Sequence, residues 1–405
     1  MVLEDRSSQD DSRPLHGLKV LEIGQLLAGP FAGTILGYFG AEVIKIESPK
    51  TGDPIRGWRE VFKGTSFWWA SLARNKKCIT LDLNSHEGRD LFRKLADKSD
   101  VLIENFKPGT MEKWGIDPES LEKTNERLIY ARISGYGQTG PYAGKAGFAS
   151  VCEAFGGFRF VNGFPDKPPV RPNLSIGDTL AGIHAALGIL LAYIQRERDG
   201  KGQVVDVAIF EAVFNLLEAV IPEYSGGGVI RQPSGSTITG IAPTNTYVCK
   251  DGKYIVIGAN TNSMFKRLAE AMDRQDIGDD HRLVENFGRV ENQDTLDSAI
   301  EKWTKTLTAE EALRKLDQFS VAAGPIYNAK DMAEDKQFQA RNLFQKVTIN
   351  EKEIDIPAII PHLSRSPGGT DFPGQKLGSH NEEIYLETLG LDESEIDDLK
   401  EKGII

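Results

Sequence analysis

Residues 18–46 read LKVLEIGQLLAGPFAGTILGYFGAEVIKI, and this stretch decides the fold class. Leu18–Ile23 is a short apolar run, which predicts a β-strand. Gly29–Leu36 begins with small residues and predicts a helix, and Val43–Ile46 predicts a second strand. A strand, a helix and a strand in this order form one β-α-β unit. The two strands are therefore expected to be parallel, with a right-handed crossover between them.

The same alternation continues through the N-terminal half of the chain. Further strands are predicted at Cys78–Leu83, Val101–Glu104, Leu128–Ile133 and Val204–Ile209. Short apolar strands that alternate with helices indicate a doubly wound α/β domain with a mainly parallel sheet. Ligands of such domains bind at the carboxyl ends of the strands. The alternation therefore predicts the position of a binding site as well as the fold class.

The character of the chain changes near Pro222, where a tract rich in Gly, Ser, Thr and Pro begins. Beyond it, Asn245–Cys249 and Tyr254–Ile257 flank the tripeptide KDG (250–252), which is a strong hairpin signal. With 405 residues, two domains are expected. The predicted organisation is a disordered arm over 1–14, a large α/β domain over 15–221, a linker over 222–243, a small α+β domain over 244–330, a second linker over 331–362, and C-terminal helices over 363–405 that return to the large domain.

Composition and charge exclude several classes of protein. The net charge of −11 argues against a nucleic-acid binder, because phosphate contacts need clustered Lys and Arg. No apolar run reaches the ~18 residues of a membrane span without a charge, so no membrane partner is expected. The three cysteines lie far apart and predict buried thiols in a reducing compartment, and no metal-ligand spacing is present. The expected location is cytoplasmic, with the mitochondrial matrix as the alternative if a presequence was removed.

The first β-α turn lacks the two common nucleotide-binding motifs. Four residues separate Gly24 from Gly29 where G-x-G-x-x-G has one, so nicotinamide binding is not expected, and no P-loop motif is present. Basic residues nevertheless collect at predicted strand ends, over Arg74–Lys77 and Asn105–Lys107. A phosphorylated ligand such as a nucleotide-tailed thioester would need such groups. For any single one of them, a solvated surface charge is the alternative.

A long, nearly uncharged helix is predicted within residues 175–202, SIGDTLAGIHAALGILLAYIQRERDGKG. Asp178 stands at its N-terminus, where an aspartate ordinarily accepts hydrogen bonds from the first-turn amides, a contribution of about 1 kcal/mol. The alternative is a carboxylate nucleophile beside amides that stabilise an oxyanion. Residue type alone favours the cap, and both interpretations stay open at this point. The sequence shows no Ser-His-Asp pattern. His184 lies on the apolar helix, so it is expected to pack in the core.

Several stretches carry a family resemblance, and they span nearly the whole chain from about Leu15. They are residues 17–53, NKKCITLDL (75–83), DVLIENFKPGTMEKWG (100–115), ISGYGQTGPY (133–142), GD (177–178), DGKYIVIGA (251–259), AAGPI (322–326) and LGSHNEEI (377–384). Together they resemble the class III coenzyme A transferase family, which includes formyl-CoA transferase and the carnitine-CoA transferases. The resemblance implies CoA or an acyl-CoA as co-substrate, a small carboxylate as acceptor, and an interlocked homodimer whose chains thread through each other.

The resemblance also implies roles for particular residues. Asp178 matches the family's nucleophilic aspartate, and Lys113 matches a basic residue after the family's NF pair. The residues that match CoA contacts are Leu26, Leu27 and Ala28 by their backbones, Asn75 and Lys76 in the NK pair, and Asn105 and Phe106 in the NF pair. In the implied reaction, the aspartate attacks the thioester to give an aspartyl anhydride. The CoA thiolate then forms an aspartyl-CoA thioester, from which the acceptor carboxylate takes over the CoA.

The chain departs from parts of the family pattern, and two alternatives remain. Gln25 stands where formyl-CoA transferase has histidine, Ser48 where it has an arginine, and Ala149 where many members carry an acidic residue. The family's 2-methylacyl-CoA racemases use an AGHD-like motif, whereas the equivalent stretch here reads AGFAS (146–150). A racemase is therefore the lower-ranked alternative, and a non-catalytic CoA-binding protein is the alternative of a different class. Three arginines are candidates for the second carboxylate of a dicarboxylate such as succinate or glutarate, with a surface role as the alternative: Arg56, Arg159 and Arg171.

Overall fold

The computed structural model describes residues 12–405, so residues 1–11 of the predicted arm lie outside the described residues. Its strands are, in chain order, β1 Lys19–Glu22, β2 Glu42–Glu47, β3 Val61–Phe62, β4 Thr65–Ser66, β5 Lys76–Thr80, β6 Val101–Glu104, β7 Ile129–Ser134, β8 Val204–Ala208, β9 Thr244–Val248, β10 Tyr254–Gly258, β11 Ala323–Pro325, β12 Phe344–Ile349 and β13 Lys352–Pro357. Its α-helices are α1 Ala28–Tyr38, α2 Phe67–Leu72, α3 His86–Asp97, α4 Thr110–Trp114, α5 Pro118–Glu122, α6 Ala149–Phe155, α7 Phe158–Val161, α8 Ile176–Asp199, α9 Ile209–Phe214, α10 Val220–Gly227, α11 Asn262–Ala271, α12 Gln275–Gly278, α13 Asn286–Glu291, α14 Gln293–Thr304, α15 Ala309–Gln318, α16 Ala329–Glu334, α17 Lys336–Ala340 and α18 Glu393–Glu401. A 3₁₀-helix spans Pro54–Gly57, and a π-helix spans Glu383–Thr388.

The described residues form two compact units. The large unit contains the described residues up to Phe158 together with Pro172–Leu217 and Gln339–Ile405. The small unit contains Arg159–Arg171 and Glu218–Phe338. The chain therefore leaves the large unit and later returns to it, since the first and last described segments belong to the same unit.

Six strands of the large unit lie in one sheet with the order β5-β2-β1-β6-β7-β8. Every neighbouring pair is parallel, which confirms the doubly wound α/β fold that the sequence predicts. The chain starts in the middle of the sheet, adds β2 and β5 on one side, and then adds β6, β7 and β8 on the other. The winding therefore reverses between β1 and β6. Ligands of doubly wound sheets bind at this switch point, beyond the carboxyl ends of the strands.

Apolar residues cover both faces of the sheet. Side chains of β1 alternate between two separate cores, with Val20 in one and Leu21 in the other, and both are buried. The first core contains residues of α1 and α8, whereas the second contains residues of α3 and of the C-terminal segment. Burial on both faces explains why the strands read as continuous apolar runs, which is typical of parallel sheets covered by helices.

Helix α8, 24 residues long, packs closely on α1. Its inner face carries small residues, among them Ala181, Gly182 and Ala185. A Cβ atom at Gly182 would lie 2.8 Å from the carbonyl oxygen of Ala28, so glycine permits the first turn of α1 to approach. This contact brings the N-terminal turn of α8 beside the loop that follows β1.

By length and composition, α8 is also the one helix among residues 12–405 that meets the criterion for crossing a bilayer, with a mean hydropathy of 1.4. Core helices of soluble proteins and signal sequences meet the same criterion. In this protein the small-residue face of α8 is buried against the rest of the large unit, so the apolar character of this face has a packing explanation.

The C-terminal segment contacts the edge strand β5 through three side chains and one backbone amide. The amide of Cys78 donates to Nδ1 of His380 at 3.1 Å, and the His380 amide donates to the Cys78 carbonyl at 3.0 Å. Asn381 continues the pattern, because its side-chain Oδ1 accepts from the Thr80 amide at 2.9 Å. The hydroxyl of Tyr385 donates to the Thr80 carbonyl at 2.7 Å. These contacts satisfy backbone groups that an edge strand would otherwise leave unpaired.

The small unit combines a three-stranded antiparallel sheet with helices. The hairpin predicted around residues 250–252 is present as β9 and β10, with Gly252 in the turn at a φ of 75°. Strand β11 pairs with the other edge of β10. Helices α11, α14 and α15 share a core with Tyr247 and Ile255 of the sheet. In the large unit, β12 and β13 form a separate hairpin within the stretch that the sequence predicts as a linker.

Candidate active site

A cavity of about 360 Å³ opens at the switch point of the large sheet. Its walls are the loops that follow β1, β6 and β7, the first turn of α8 and the start of α9. This is the position expected for a ligand of a doubly wound sheet. The residues that line it are Gln25, Leu26, Leu27, Ala28, Asn105, Phe106, Lys107, Pro108, Ile133, Ser134, Gly135, Lys145, Ala146, Gly147, Phe148, Asp178 and Ile209.

Asp178 lies in the first turn of α8, where its half-buried side chain lines the cavity. The helix begins after Ser175, whose side chain makes no capping hydrogen bond. The amide of Gly177 donates to the carboxylate of Glu153, with 3.2 Å between the nitrogen and Oε1. A carboxylate from another helix thus reaches the first turn of α8, and Asp178 occupies the wall of the cavity.

The loop from Gln25 to Ala28 is held by two polar side chains. Asn105 accepts from the Gln25 amide and donates to the Gln25 carbonyl, both at 2.8 Å. Asp53 accepts from the Leu26 amide, with both carboxylate oxygens 3.2 Å from the nitrogen. Leu26 has a φ of 63°, a left-handed conformation that is uncommon for leucine. The two side chains therefore stabilise a loop shape that the backbone alone disfavours.

A cluster of buried charges lies next to this loop. Lys45 Nζ is 3.0 Å from Asp53 Oδ2 and 3.1 Å from Glu22 Oε1. Lys76 Nζ is 2.8 Å from Glu22 Oε2 and donates to the carbonyl of Pro30 at 2.6 Å. Burial disfavours the charged form of Lys45, but the carboxylates of Asp53 and Glu22 outweigh it and hold the pKa of Lys45 above its ordinary value. The cluster ties the loop and α1 to the strands beneath them.

The sequence-predicted site residues fall into two groups. Those that line the cavity are Leu26, Leu27, Ala28, Asn105, Phe106 and Asp178. Those that are not among its described lining residues are Asn75, Lys76 and Lys113.

Each member of the second group has a different environment. Asn75 accepts from the Asp371 amide and donates to the Gly369 carbonyl, both at 2.8 Å, so it holds the C-terminal segment. Lys76 is fully buried between Glu22 and the carbonyl of Pro30, and burial lowers the pKa of Lys76. Lys113 is exposed on α4.

None of the arginines considered for a second carboxylate is among the described residues that line the cavity. Arg56 binds Glu47 through two hydrogen bonds of 2.7 Å, and its guanidinium lies 3.7 Å from the ring centroid of Trp69. It lines a separate cavity of about 340 Å³. Arg159 and Arg171 belong to the small unit. The cations that do line the cavity of Asp178 are lysines.

Those lysines are Lys107 and Lys145, which follow β6 and β7. Lys107 belongs to the basic group that the sequence places at a strand end, but it was not among the predicted ligands. Lys145 Nζ lies 3.5 Å from the ring centroid of Tyr142. Its signal in the sequence was the glycine-rich stretch SGYGQTGPYAGKAGF (134–148), in which a lysine follows a predicted strand. Glu153 had no such signal, because it lies within an apolar run.

Cys152 lies beside the cavity, where its Sγ donates to the carbonyl of Gly135 at 3.3 Å. Burial, with the negative charges of Asp178 and Glu153, raises the pKa of the Cys152 thiol to about 11. This thiol therefore stays protonated at neutral pH and is a weak nucleophile.

Comparisons with known proteins agree over nearly the whole chain. A sequence model of a family described as CoA-transferase family III matches residues 15–381. The chain is 48% identical over 401 residues to the succinyl-CoA–D-citramalate CoA-transferase of Chloroflexus aurantiacus, a match that covers 98% of this chain and 100% of the relative. It is 31% identical over 405 residues to the human succinyl-CoA:glutarate CoA-transferase, covering 99% of this chain and 92% of that protein. Among solved structures, a CaiB/BaiF family protein from Brucella suis superimposes with a TM-score of 0.83 at 34% identity, covering 93% of this chain and 99% of that one.

Proposed function

This chain belongs to CoA-transferase family III, and we propose that it moves CoA from succinyl-CoA, or a closely related acyl-CoA thioester, to a small dicarboxylate. One observation carries the proposal: the carboxylate of Asp178 lines a cavity of about 360 Å³ at the switch point of a doubly wound sheet. The relatives support the choice of substrates, since their names pair succinyl-CoA with citramalate or with glutarate.

In the proposed reaction, the Asp178 carboxylate attacks the carbonyl carbon of the acyl-CoA, and the C–S bond breaks with release of CoA thiolate. The product is a mixed anhydride between Asp178 and the donor acid. The thiolate then attacks the Asp178 carbonyl carbon, so that the donor leaves as a carboxylate and an aspartyl-CoA thioester remains. The acceptor carboxylate attacks this thioester, and the released thiolate finally attacks the acceptor's carbonyl carbon in the new anhydride. Asp178 is thereby regenerated as a carboxylate.

No net proton is taken up or released in this sequence, and each activated carboxyl group is exchanged for another. The reaction therefore needs no ATP, and an aspartate that is ionised at neutral pH suits the role of nucleophile. Backbone amides of the first turn of α8 would stabilise the tetrahedral oxyanions, and one such donor is typically worth ~3 kcal/mol. Capping and catalysis are then compatible, because the partial positive charge at the helix N-terminus favours both a capping carboxylate and an oxyanion.

The cavity walls suggest how CoA is held. Lys107 and Lys145 would supply positive charge for its phosphates, and the backbone from Leu26 to Ala28 would contact the nucleotide end. Phe106 offers an aromatic face that is fixed by an edge-to-face contact with Trp114, with 5.3 Å between the ring centroids. Within this proposal, Asn75 and Lys76 act by holding neighbouring segments, and exposed Lys113 is a contact for the outer part of CoA.

A racemase would need a base to remove the proton from Cα of the acyl group. None of the described residues that line the cavity is a histidine. His184, on α8, is engaged at both ring nitrogens, with the Leu180 carbonyl at 2.8 Å and Asn215 at 3.3 Å. These observations favour CoA transfer over racemisation.

We further propose that the protein acts as a homodimer in the cytoplasm. The outer face of α8 exposes a stripe of apolar side chains at helical spacing, Ile183, Leu187, Leu191 and Ile194. A second copy of the chain would remove this stripe from water. The free, buried cysteines suit a reducing compartment. Light scattering coupled to size-exclusion chromatography measures the mass, and a monomer would contradict the dimer.

The experiment that tests the function compares Asp178→Asn with the wild type in a panel of acyl-CoA donors and mono- or dicarboxylate acceptors. We expect the variant to lose transfer by more than about a thousandfold while its melting temperature is retained. Asp199→Asn, at the other end of the same helix, is the matched control and should keep full activity. Hydroxylamine added to wild-type enzyme and succinyl-CoA should convert Asp178 to a hydroxamate that mass spectrometry detects. Full transfer by Asp178→Asn would contradict the mechanism.

A further inference from the structure

The carboxylate of Glu153 is the polar group that α6 places against the start of α8. Its side chain is fully buried, and its Oε1 accepts the Gly177 amide at 3.2 Å. Gly177 immediately precedes Asp178 in the first helical turn. A buried carboxylate is costly unless it is hydrogen-bonded or paired, and the Gly177 amide supplies one such hydrogen bond.

The first turn of a helix has amides without partners inside the helix, and a nearby acidic side chain ordinarily accepts from them. In α8 the residue before the helix, Ser175, makes no side-chain cap. The Gly177 amide is taken by Glu153, which belongs to a different helix. That hydrogen bond therefore does not have to come from Asp178, the acidic residue of the turn itself.

Packing around Gly177 shows that the contact is built into the fold. A Cβ atom at Gly177 would lie 3.0 Å from Cγ2 of Ile209 and 3.2 Å from Cγ of Glu153. A larger residue would push the side chains of Ile209 and Glu153 away by a few tenths of an ångström, so glycine suits the close approach of α8 to α6 and α9. The neighbouring Cys152 meanwhile bonds the carbonyl of Gly135, which lines the cavity. Helix α6 thus connects one wall of the cavity to the start of α8.

From this geometry we propose that Glu153 is a positioning residue for Asp178. It accepts the first-turn hydrogen bond from Gly177 and fixes the start of α8, so that the Asp178 carboxylate stays directed into the cavity. Glu153 itself does not contact the substrate. This inference rests on the proposed function, because it assigns Glu153 a role in the reaction of Asp178.

The test uses the full-length enzyme with three substitutions at position 153. Glu153→Ala removes the acceptor, Glu153→Gln keeps an oxygen acceptor without the charge, and Glu153→Asp keeps the charge on a side chain one methylene shorter. If the first turn is misplaced when the acceptor is lost, kcat should fall by about tenfold to a hundredfold in Glu153→Ala and Glu153→Asp. The KM for the acyl-CoA should change much less than kcat. Glu153→Gln should recover kcat to within about threefold of the wild type, since it restores the hydrogen bond.

Asp117→Ala is the control for simple destabilisation. Asp117 caps α5 by accepting from the Ser120 amide at 3.1 Å, and it does not line the cavity. Its loss should lower the melting temperature with kcat unchanged. The inference is overturned if Glu153→Ala retains kcat, or if Glu153→Gln is as slow as Glu153→Ala. Either result, with Asp178→Asn inactive, would leave the proposed function intact, whereas an active Asp178→Asn variant would remove the function itself.

Discussion

Both carboxylate oxygens of Asp53 lie 3.2 Å from the backbone nitrogen of Leu26, which donates to them from a left-handed conformation. Asp53 is itself buried and paired with Lys45 at 3.0 Å. The charge cluster under the site thus acts directly on the loop that lines the cavity. Stability of the cluster and shape of the binding site are therefore expected to change together.

Asp53→Ala should weaken both the fold and the binding of acyl-CoA. It leaves Lys45 buried with one fewer carboxylate partner, so the free energy of unfolding should fall by about 3–5 kcal/mol. The loop then loses the acceptor for Leu26, and the KM for acyl-CoA should rise. Leu26→Gly relieves a backbone strain of about 1 kcal/mol. Asp53→Ala should therefore lower the unfolding free energy less in the Leu26→Gly background than in the wild type, as measured by urea unfolding. Strict additivity would contradict a coupling between Asp53 and the strained residue.

Asn105→Ala should affect ligand binding more than Asn125→Ala does. Asn105 makes two hydrogen bonds, both with the backbone of Gln25. Asn125 makes three, donating to the carbonyls of Ala96 and Ser99 and accepting from the Arg127 amide. Both variants should lose about 1–3 kcal/mol of unfolding free energy. Only the Asn105 change frees the cavity loop, so only that variant should show weaker acyl-CoA binding by calorimetry. Equal affinities for acyl-CoA in the two variants would argue against a role of the cavity loop in acyl-CoA binding.

Lys76→Met distinguishes a structural lysine from a CoA ligand. Lys76 is buried against Glu22, so its removal should cost about 3–5 kcal/mol of unfolding free energy. The neighbouring Lys77 is partly exposed and pairs with Glu42 and Glu383, so Lys77→Met should cost less than about 1 kcal/mol. A stable Lys76→Met enzyme with a raised KM for acyl-CoA would instead indicate direct contact with CoA.

Acid should weaken the attachment of the C-terminal segment through His380. Burial lowers the pKa of this imidazole from its ordinary value, and its Nδ1 accepts from the Cys78 amide. Below about pH 6.5 the unfolded chain binds more protons at this site than the folded one. The contribution of His380 to stability is therefore fully present above that pH and is lost as the pH falls toward the folded pKa.

His380→Asn keeps an acceptor but does not titrate, and it is the variant that tests this pH dependence. Its unfolding free energy should decrease less than that of the wild type between pH 7 and pH 5, as measured by urea titration. Parallel pH profiles for the two proteins would contradict the role of His380.

Lys145→Ala should weaken the binding of succinyl-CoA but not that of a truncated donor. A lysine at the cavity wall attracts the phosphates of CoA, and one charge-assisted hydrogen bond is worth about 1.5–3 kcal/mol. The KM for succinyl-CoA should therefore rise by at least about tenfold. With succinyl-pantetheine, which has no phosphates, wild type and variant should have the same KM. A raised KM with both donors would place Lys145 near the acyl group instead.

Much of the fold was predictable because its signals are local. Each strand of the parallel sheet is a short apolar run, and the turn motif KDG at residues 250–252 predicts the hairpin of β9 and β10. The sequence predicts a linker where β12 and β13 form a hairpin, since polar residues outnumber the buried Val347, Ile349 and Ile356 in this two-stranded ribbon. The order of strands, and with it the switch point, depends on the pairing of β1 with both β2 and β6, which joins segments that are distant in the chain.

Read by itself, the amino-acid order determined the alternation of strands and helices, and it put Asp178 in the first turn of the longest helix. Both follow from interactions between residues that are near neighbours in the chain. Only the folded molecule decided that Lys76 faces Glu22 and that Glu153 meets Gly177. The partners in these pairs belong to distant segments, and a charged side chain is buried or exposed according to what strand pairing and helix packing bring next to it.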